Sequence, residues 1–338
     1  MLLSRRAALA APLVAASGRL ALAQAPVTAR IGVIPILAAA PVFIADREGW
    51  LKDSGLATRY TTFESGPNMI QALASGTIDV YVAGVAPLAV ARTRGIDIKV
   101  VASTAVEEMT VVVTPKLARF FEPGVAPAEA FKRYRAATGS PARLATQPAG
   151  SVPNATLQHW LWEVTKTDRA DAAIIAMGID ATQQAILVGA VEGGTVREPA
   201  VTIVTQRDPG IKVVALGGVM FPDQPGTVIA VTAAFLRDHS DKVQAIVNGA
   251  VRAVRLIGTD PARAAVHVEQ ALGKGIVDGA TIGKALVSPS SKFTADPRRI
   301  IEATAALQRY QVKIGALDRE APLDGLFDTS FFLRATAS

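Results

Sequence analysis

The stretch ARIGVIPILAAAPVFIADREGWLKDSGLATRYTTF, residues 29–63, decides the fold. Residues 30–34 and 57–63 are short runs rich in apolar and β-branched side chains, and between them residues 41–53 read as a helix. Phe43 and Trp50, like Ile44 and Leu51, stand seven apart and so share one helix face. Gly55 stops that helix. A strand, a helix and a second strand at such short spacing make one unit of a parallel α/β layer.

The same alternation continues outward. Strands are expected at residues 78–83 and 97–102, with helices at 67–75 and 87–94 closed by Gly76 and Gly95. After an irregular, Pro-rich connection at 121–127 and a helix at 128–137, the pattern starts again. Strands at 143–146, 172–176, 195–197 and 211–216 enclose helices beginning near Pro153, Asp180 and Pro199. Asp180 with Gln183 has the spacing of a capping box. Beyond Gly217-Gly218 come one strand at 227–232 and then helices only, at 242–257, 261–272, 281–287 and 297–314. Asp260-Pro261 and Asp296-Pro297 each set a capping carboxylate before a first-turn proline.

The fold class is therefore α/β, with two lobes. Residues 24–112 and 228–338 are expected to form lobe one, with the helical C-terminal region packed on it, and residues 113–227 lobe two. The segments 110–114 and 227–232 are expected to carry the two crossings as a two-strand hinge.

Residues 1–23 have the layout of an export signal: Arg5-Arg6, an apolar run at 7–16, and small residues ending Ala21-Leu22-Ala23. Ser4-Arg5-Arg6 also fits twin-arginine export, although Ala8 and Arg19 depart from that pattern. The apolar run is too short for a permanent membrane helix, so a soluble, exported protein is expected, with the periplasm as its compartment. The 338 residues are half apolar and 19% charged, enough for a large core. The net charge of +6 is halved when Arg5, Arg6 and Arg19 leave with the signal, too little to argue for nucleic acid. No cysteine occurs, which argues against a lipid-linked cysteine, disulfides and thiolate chemistry.

In open α/β sheets a ligand sits beyond the carboxyl ends of the strands. Pro41, Pro67, Pro87, Pro153 and Pro199 each fall near a first helical turn after such a strand, where the free amides that follow face the crevice. A proline at a helix start is common in any α/β protein, so the coincidence of five outweighs any one of them. The candidate ligand-binding residues are Ile36 and Leu37, then Ser65, Gly66 and Asn68, then Gly84 and Val85, in three loops of lobe one. Gly150, Ser151, Asn154, Arg197 and Glu198 are their counterparts in lobe two. Ser65 and Ser151 serve equally well as helix caps. Arg197 is placed either to clamp an anion bidentately or to pair with a surface acid. Glu198 and Glu64 either cap or accept from a cationic or heterocyclic ligand.

Catalytic and metal residues are not expected. His159, His239 and His267 lack metal-ligand spacing, Glu107 and Glu108 are adjacent rather than held across a cleft, and no nucleophile elbow, phosphate loop or dinucleotide fingerprint occurs.

The order of residues then resembles a known family. Ile31-Gly32-Val33 through Ala39-Ala40-Pro41, Glu48-Gly49-Trp50-Leu51, Ser54-Gly55-Leu56, Ser65-Gly66-Pro67 and the run from Ala72 to Val80 are similar to the nitrate/sulfonate/taurine-type ABC substrate-binding proteins and their thiamine-pyrimidine-precursor relatives. Gly84, Gly95-Ile96, Gly150-Ser151, the run from Leu187 to Glu192, and Glu198-Pro199 extend the likeness over the mature chain. Thr77 and Glu192 depart from it, standing where an acid and an Asp are usual. The resemblance implies a type II periplasmic-binding-protein fold, hinge closure around one solute, and delivery to an ABC permease driven by a separate ATPase; a monomer without cofactor is expected. Arg197 and the helix ends favour a small anion, a sulfonate, nitrate or carboxylate, while Glu64 and Glu198 keep a cation open. A same-fold enzyme and a periplasmic ligand sensor are the alternatives. The export signal argues against a cytosolic menaquinone-pathway enzyme, and the missing cysteines against a pyrimidine-synthesis enzyme.

Overall fold

The computed structural model describes residues 25–272 and 277–337. The export segment expected at residues 1–23 lies outside the described residues. Two five-stranded sheets carry the fold. The first contains β1 (Val27–Val33), β2 (Leu56–Thr62), β3 (Val80–Gly84) and β4 (Ile98–Ser103). After β5 (Ala105–Val106) the chain enters the second sheet with β6 (Thr110–Val113), β7 (Ala142–Thr146), β8 (Ala172–Ala176), β9 (Gly193–Val196) and β10 (Lys212–Leu216). It returns through β11 (Thr227–Thr232), and β12 (Lys292–Phe293) pairs with β5. The strand orders are β2-β1-β3-β11-β4 and β10-β6-β9-β7-β8. In each sheet one strand from after a crossing, β11 or β6, runs antiparallel among its neighbours. The remaining pairings are parallel, as the βαβ spacing requires.

The crossings themselves lie just before β6 and β11, so the segments expected to span the lobes are absorbed into the two sheets instead. Both are buried, β-branched runs whose backbone groups need ladder partners. The crossing segments pair with each other through a Val106–Pro225 bridge, Glu107 N to Gln224 O at 3.0 Å, and Thr104 N to Thr227 O at 2.9 Å. Glycine permits this approach: a Cβ on Gly226 would run into the Ala105 carbonyl, and one on Gly217 into that of Glu107.

The helix expected at 41–53 breaks into Ala40–Arg47 and Trp50–Asp53, because Gly49 adopts a left-handed φ of 80° between them. The capping box is corrected too. Gly178 is the N-cap of helix Ile179–Leu187, and Asp180 sits inside its first turn. Asp260 and Asp296 do cap, accepting from Arg263 N and Arg298 N, each at 3.0 Å.

Of the C-terminal helices, Ser240–Thr259 packs on Ala40–Arg47, where Gly249 abuts Ala45, and Pro261–Leu272 and Ser330–Ala337 flank it. The others reach the second lobe, which the sequence did not foretell. Helix Gly279–Leu286 packs on Ala200–Arg207, and Ile301–Lys313 inserts Leu307 and Tyr310 among Phe131, Trp160 and Leu161. Their apolar faces cover second-sheet helices that would otherwise expose them. No helix among the described residues is long and apolar enough to cross a membrane.

Candidate functional site

The carboxyl ends of β1 and β9 face each other across the lobes, and beside them opens a cavity of about 780 Å³. That is the size range of small-molecule sites. Lobe one supplies Pro35 and Ile36 after β1, Phe43 and Asp46 from helix Ala40–Arg47, and Tyr60 from β2. Lobe two supplies Arg197, Glu198 and the starts of helices Ile179–Leu187 and Ala200–Arg207. The C-terminal chain closes the side with Glu269, Leu272 and Asp278. Leu37 N donates to Glu198 O at 2.9 Å, a backbone bond from lobe to lobe at the cavity's inner end.

Of the residues singled out from sequence, Ile36, Arg197 and Glu198 line this cavity. Leu37, again with Arg197 and Glu198, borders a second void of about 10 Å³, room for one water. The rest lie along a closed seam between the lobes or away from it. Tyr81 donates its hydroxyl to Gly84 O at 2.7 Å, and a Cβ on Gly66 would fall 2.6 Å from the same hydroxyl. A Cβ on Gly84 would fall 2.9 Å from Val152 Cγ2 of the other lobe, and Val85 beside it is buried. Ser65 is the N-cap of helix Gly66–Ala74, yet its hydroxyl is buried without a partner. Asn68 is exposed on the same helix and lines neither void.

Ser151 and Asn154 are engaged in starting helix Val152–His159. Ser151 Oγ accepts from Asn154 N at 3.3 Å and donates to Pro148 O at 2.7 Å. Asn154 Nδ2 donates to Gln147 O at 3.1 Å, and its Oδ1 accepts from Gln158. Gly150 takes a φ of 83°, and its carbonyl accepts from Gln311. Pro41, Pro67, Pro87 and Pro153 occupy first-turn positions, whereas Pro199 is an N-cap and follows a cis peptide bond.

Arg197 is 3% exposed. Its two terminal nitrogens donate to Glu108 Oε1 at 3.2 Å and Gln147 Oε1 at 3.1 Å, and Thr227 Oγ1 donates to the same Glu108 oxygen at 2.8 Å. The guanidinium therefore ties the end of β9 in lobe two to the first crossing and, through Glu108, to the start of β11, and its partner is a buried acid rather than a surface one. Glu198 accepts from Thr202 N and Thr202 Oγ1, each at 3.0 Å, and so closes the start of helix Ala200–Arg207. Burial pushes its carboxyl above the ordinary range, against the opposing hydrogen bonds from Ser288 and Thr202.

A raised folded value means that the folded protein holds this proton more tightly than the unfolded chain. Its contribution is present below the unfolded value of 4.5 and is lost as pH rises through the folded one. Glu198→Gln lacks that titration. Urea denaturation from about pH 4 to pH 8 is expected to show wild type losing ground to Glu198→Gln as pH rises. A constant difference between the two would show that Glu198 titrates alike in both states.

Phe43, Tyr60, Asp46, Asp180 and Glu269 went unnoticed as site residues. The Phe43 and Tyr60 rings stand 5.4 Å apart at 60°, and the Tyr60 hydroxyl is buried on the wall without a partner. Tyr60 lies in the middle of a strand and Glu269 on a late helix, where local spacing carries no sign of a cleft. His159 packs between Phe221 and Tyr310 and bonds Met220 O at 2.8 Å. No group of His, Asp and Glu among the described residues is placed to hold a metal ion.

The profile of the NMT1-like family matches residues 23–272. No curated protein matches the sequence. Among solved structures, the periplasmic nitrate-binding protein of Synechocystis PCC 6803 superposes with a TM-score of 0.76 at 16% identity, over 92% of this chain and 89% of that one. The ligand-binding component of an ABC-type import system from Staphylococcus aureus, solved with zinc bound, gives 0.73 at 17%, over 92% and 100%. The alkanesulfonate-binding protein of Xanthomonas axonopodis pv. citri, bound to MOPS, gives 0.72 at 18%, over 91% and 100%. The chain has the periplasmic-binding-protein fold that these structures share.

Proposed function

The chain belongs to the NMT1-like family, and from that premise we propose that it is the periplasmic solute-binding component of an ABC importer. It captures a small molecule between its lobes and hands it, unaltered, to a permease powered by a separate ATPase. The observation that carries this reading is the cavity of about 780 Å³ shared by both lobes at the carboxyl ends of β1 and β9. The solved structures of like fold support it, being binding proteins for nitrate or alkanesulfonate and the binding component of an import system.

The geometry supports closure of the lobes around the solute. A solute touching Ile36 and Tyr60 on one side and Ile203 and Glu198 on the other gains both sets of contacts only when the lobes meet, which shifts the equilibrium toward the closed form. The paired crossings supply the axis. Ser65, Gly66, Gly84, Val85, Gly150, Ser151 and Asn154 then act as the seam against which the lobes close, more than as groups that grip the solute. The protein acts as a monomer after export.

Small-angle scattering and a melting-point panel test the reading together. A bound solute at about 100 times its dissociation constant adds about 2.7 kcal/mol of stability, with a smaller radius of gyration. Turnover of a solute by the purified protein would replace binding with catalysis.

A further inference from the structure

Nearly every positive group that the cleft offers to an anion is already engaged by the chain itself. Helices Ile179–Leu187, Ala200–Arg207 and Gly279–Leu286 all begin at the cavity. A helix start attracts an anion through its unpaired N–H groups and its dipole. Here Asp180 lies in the first turn of the first helix, Glu198 accepts from Thr202 N of the second, and Asp278 accepts from Thr281 N of the third at 2.9 Å. Glu198 and Asp278 thus already hold the helix-start amides that a solute anion would need, and Asp180, unpartnered among the described residues, sets a negative charge at the first helix. Arg197 is turned to Glu108 and Gln147. Arg47 donates to Gln270 O at 3.3 Å, which leaves Arg207 on the exposed rim.

Three other acids on the wall are less engaged. Asp46, Asp180 and Glu269 line the cavity; among the described residues none is in an ion pair, and of the three only Asp46 is hydrogen-bonded through its carboxylate, from Thr58 Oγ1 at 2.8 Å. Asp46 and Glu269 are half-buried, where a low-dielectric wall sharpens their field. Between them stand the Phe43 and Tyr60 rings, with the buried, partnerless Tyr60 hydroxyl on the wall.

We propose, resting on the solute-binding reading above, that the cavity takes a small organic cation, an ammonium or amidinium group on an apolar or aromatic body. The charged end faces Asp46, Asp180 and Glu269, and the body lies along Phe43, Tyr60 and Ile203, where the ring faces also favour a cation. This departs from the small anion that Arg197 led the sequence to favour.

The test uses matched probes on the purified protein: benzylamine and agmatine against benzenesulfonate and nitrate, by melting point and calorimetry. Either amine is expected to bind and both anions to fail, with amine affinity falling at least tenfold in Asp180→Asn/Glu269→Gln. If that double variant does not fold, Glu269→Gln alone is expected to weaken amine binding in the same direction. Tighter binding of benzenesulfonate or nitrate than of the amines overturns the cation assignment and leaves solute capture standing. Amine affinity unchanged in the variants overturns the assignment as well. If neither the four probes nor a protein-free small-molecule extract moves the melting point, solute capture itself is overturned.

Discussion

Arg197→Ala lowers the stability of the protein by about 3–5 kcal/mol, the cost of leaving a buried acid without its partner. Glu108 is buried, one of its oxygens already lacks a hydrogen-bond partner, and the other is shared by Arg197 and Thr227. Removing the guanidinium strands that charge at the junction of β9 with the first crossing and the start of β11. Urea denaturation of the single variant, and of Arg197→Met/Glu108→Met, measures the effect. The double variant is expected to recover most of the loss, since apolar residues of similar volume often replace a buried pair at little cost. A single-variant loss under about 1 kcal/mol would mean that the pair is solvated, as exposed pairs are. The same variants separate two roles for Arg197. A residue that joins the lobes changes stability before solute is added, whereas a residue that grips solute changes only affinity.

Arg197 also shows where the sequence was legible and where it was not. Its position at the end of a lobe-two strand, and so near the crevice, could be read from the short Thr195-Val196 segment and the Glu198-Pro199 that follows it. Its partner could not, because Glu108 lies 89 residues away in a segment that reads as a connection. The alternation of strand and helix, the helix-start prolines from Pro41 to Pro153 and the caps Asp260 and Asp296 depend on local spacing, and the structure has them at those places. Gly49 breaks a helix that periodicity would continue, because side-chain spacing does not encode a left-handed backbone turn. The cavity walls are harder still. Tyr60, Asp180 and Glu269 come from three separate parts of the chain and meet only once both lobes and the C-terminal helices are in place.

Leu307→Ala is the sharpest test of how those C-terminal helices are used. Leu307 is 1% exposed and packs with Phe131, Trp160 and Leu161 of the second lobe, although the chain reaches it only after leaving the first. Ile300, at the start of the same segment, belongs to the core of the first lobe. One helix therefore closes the second core while anchored in the first. Truncating a buried Leu costs about 2–5 kcal/mol, through lost transfer energy and the cavity left behind. The loss is expected to be local in its signature. Hydrogen exchange should speed up in β7, β9 and helix Val152–His159, while β1 and β3 keep their protection, because protection follows the cooperative unit whose packing is weakened. Uniform deprotection of both sheets would show instead that the lobes unfold as one unit. Deprotection confined to β1 and β3 would place Leu307 with lobe one, as the order of the sequence alone suggests. The local result would mean that the second lobe is completed by a segment that begins 85 residues after the end of its last strand, at Ile301 against Leu216. Movement of the lobes about their paired crossings would then have to carry this helix along, or slide past it.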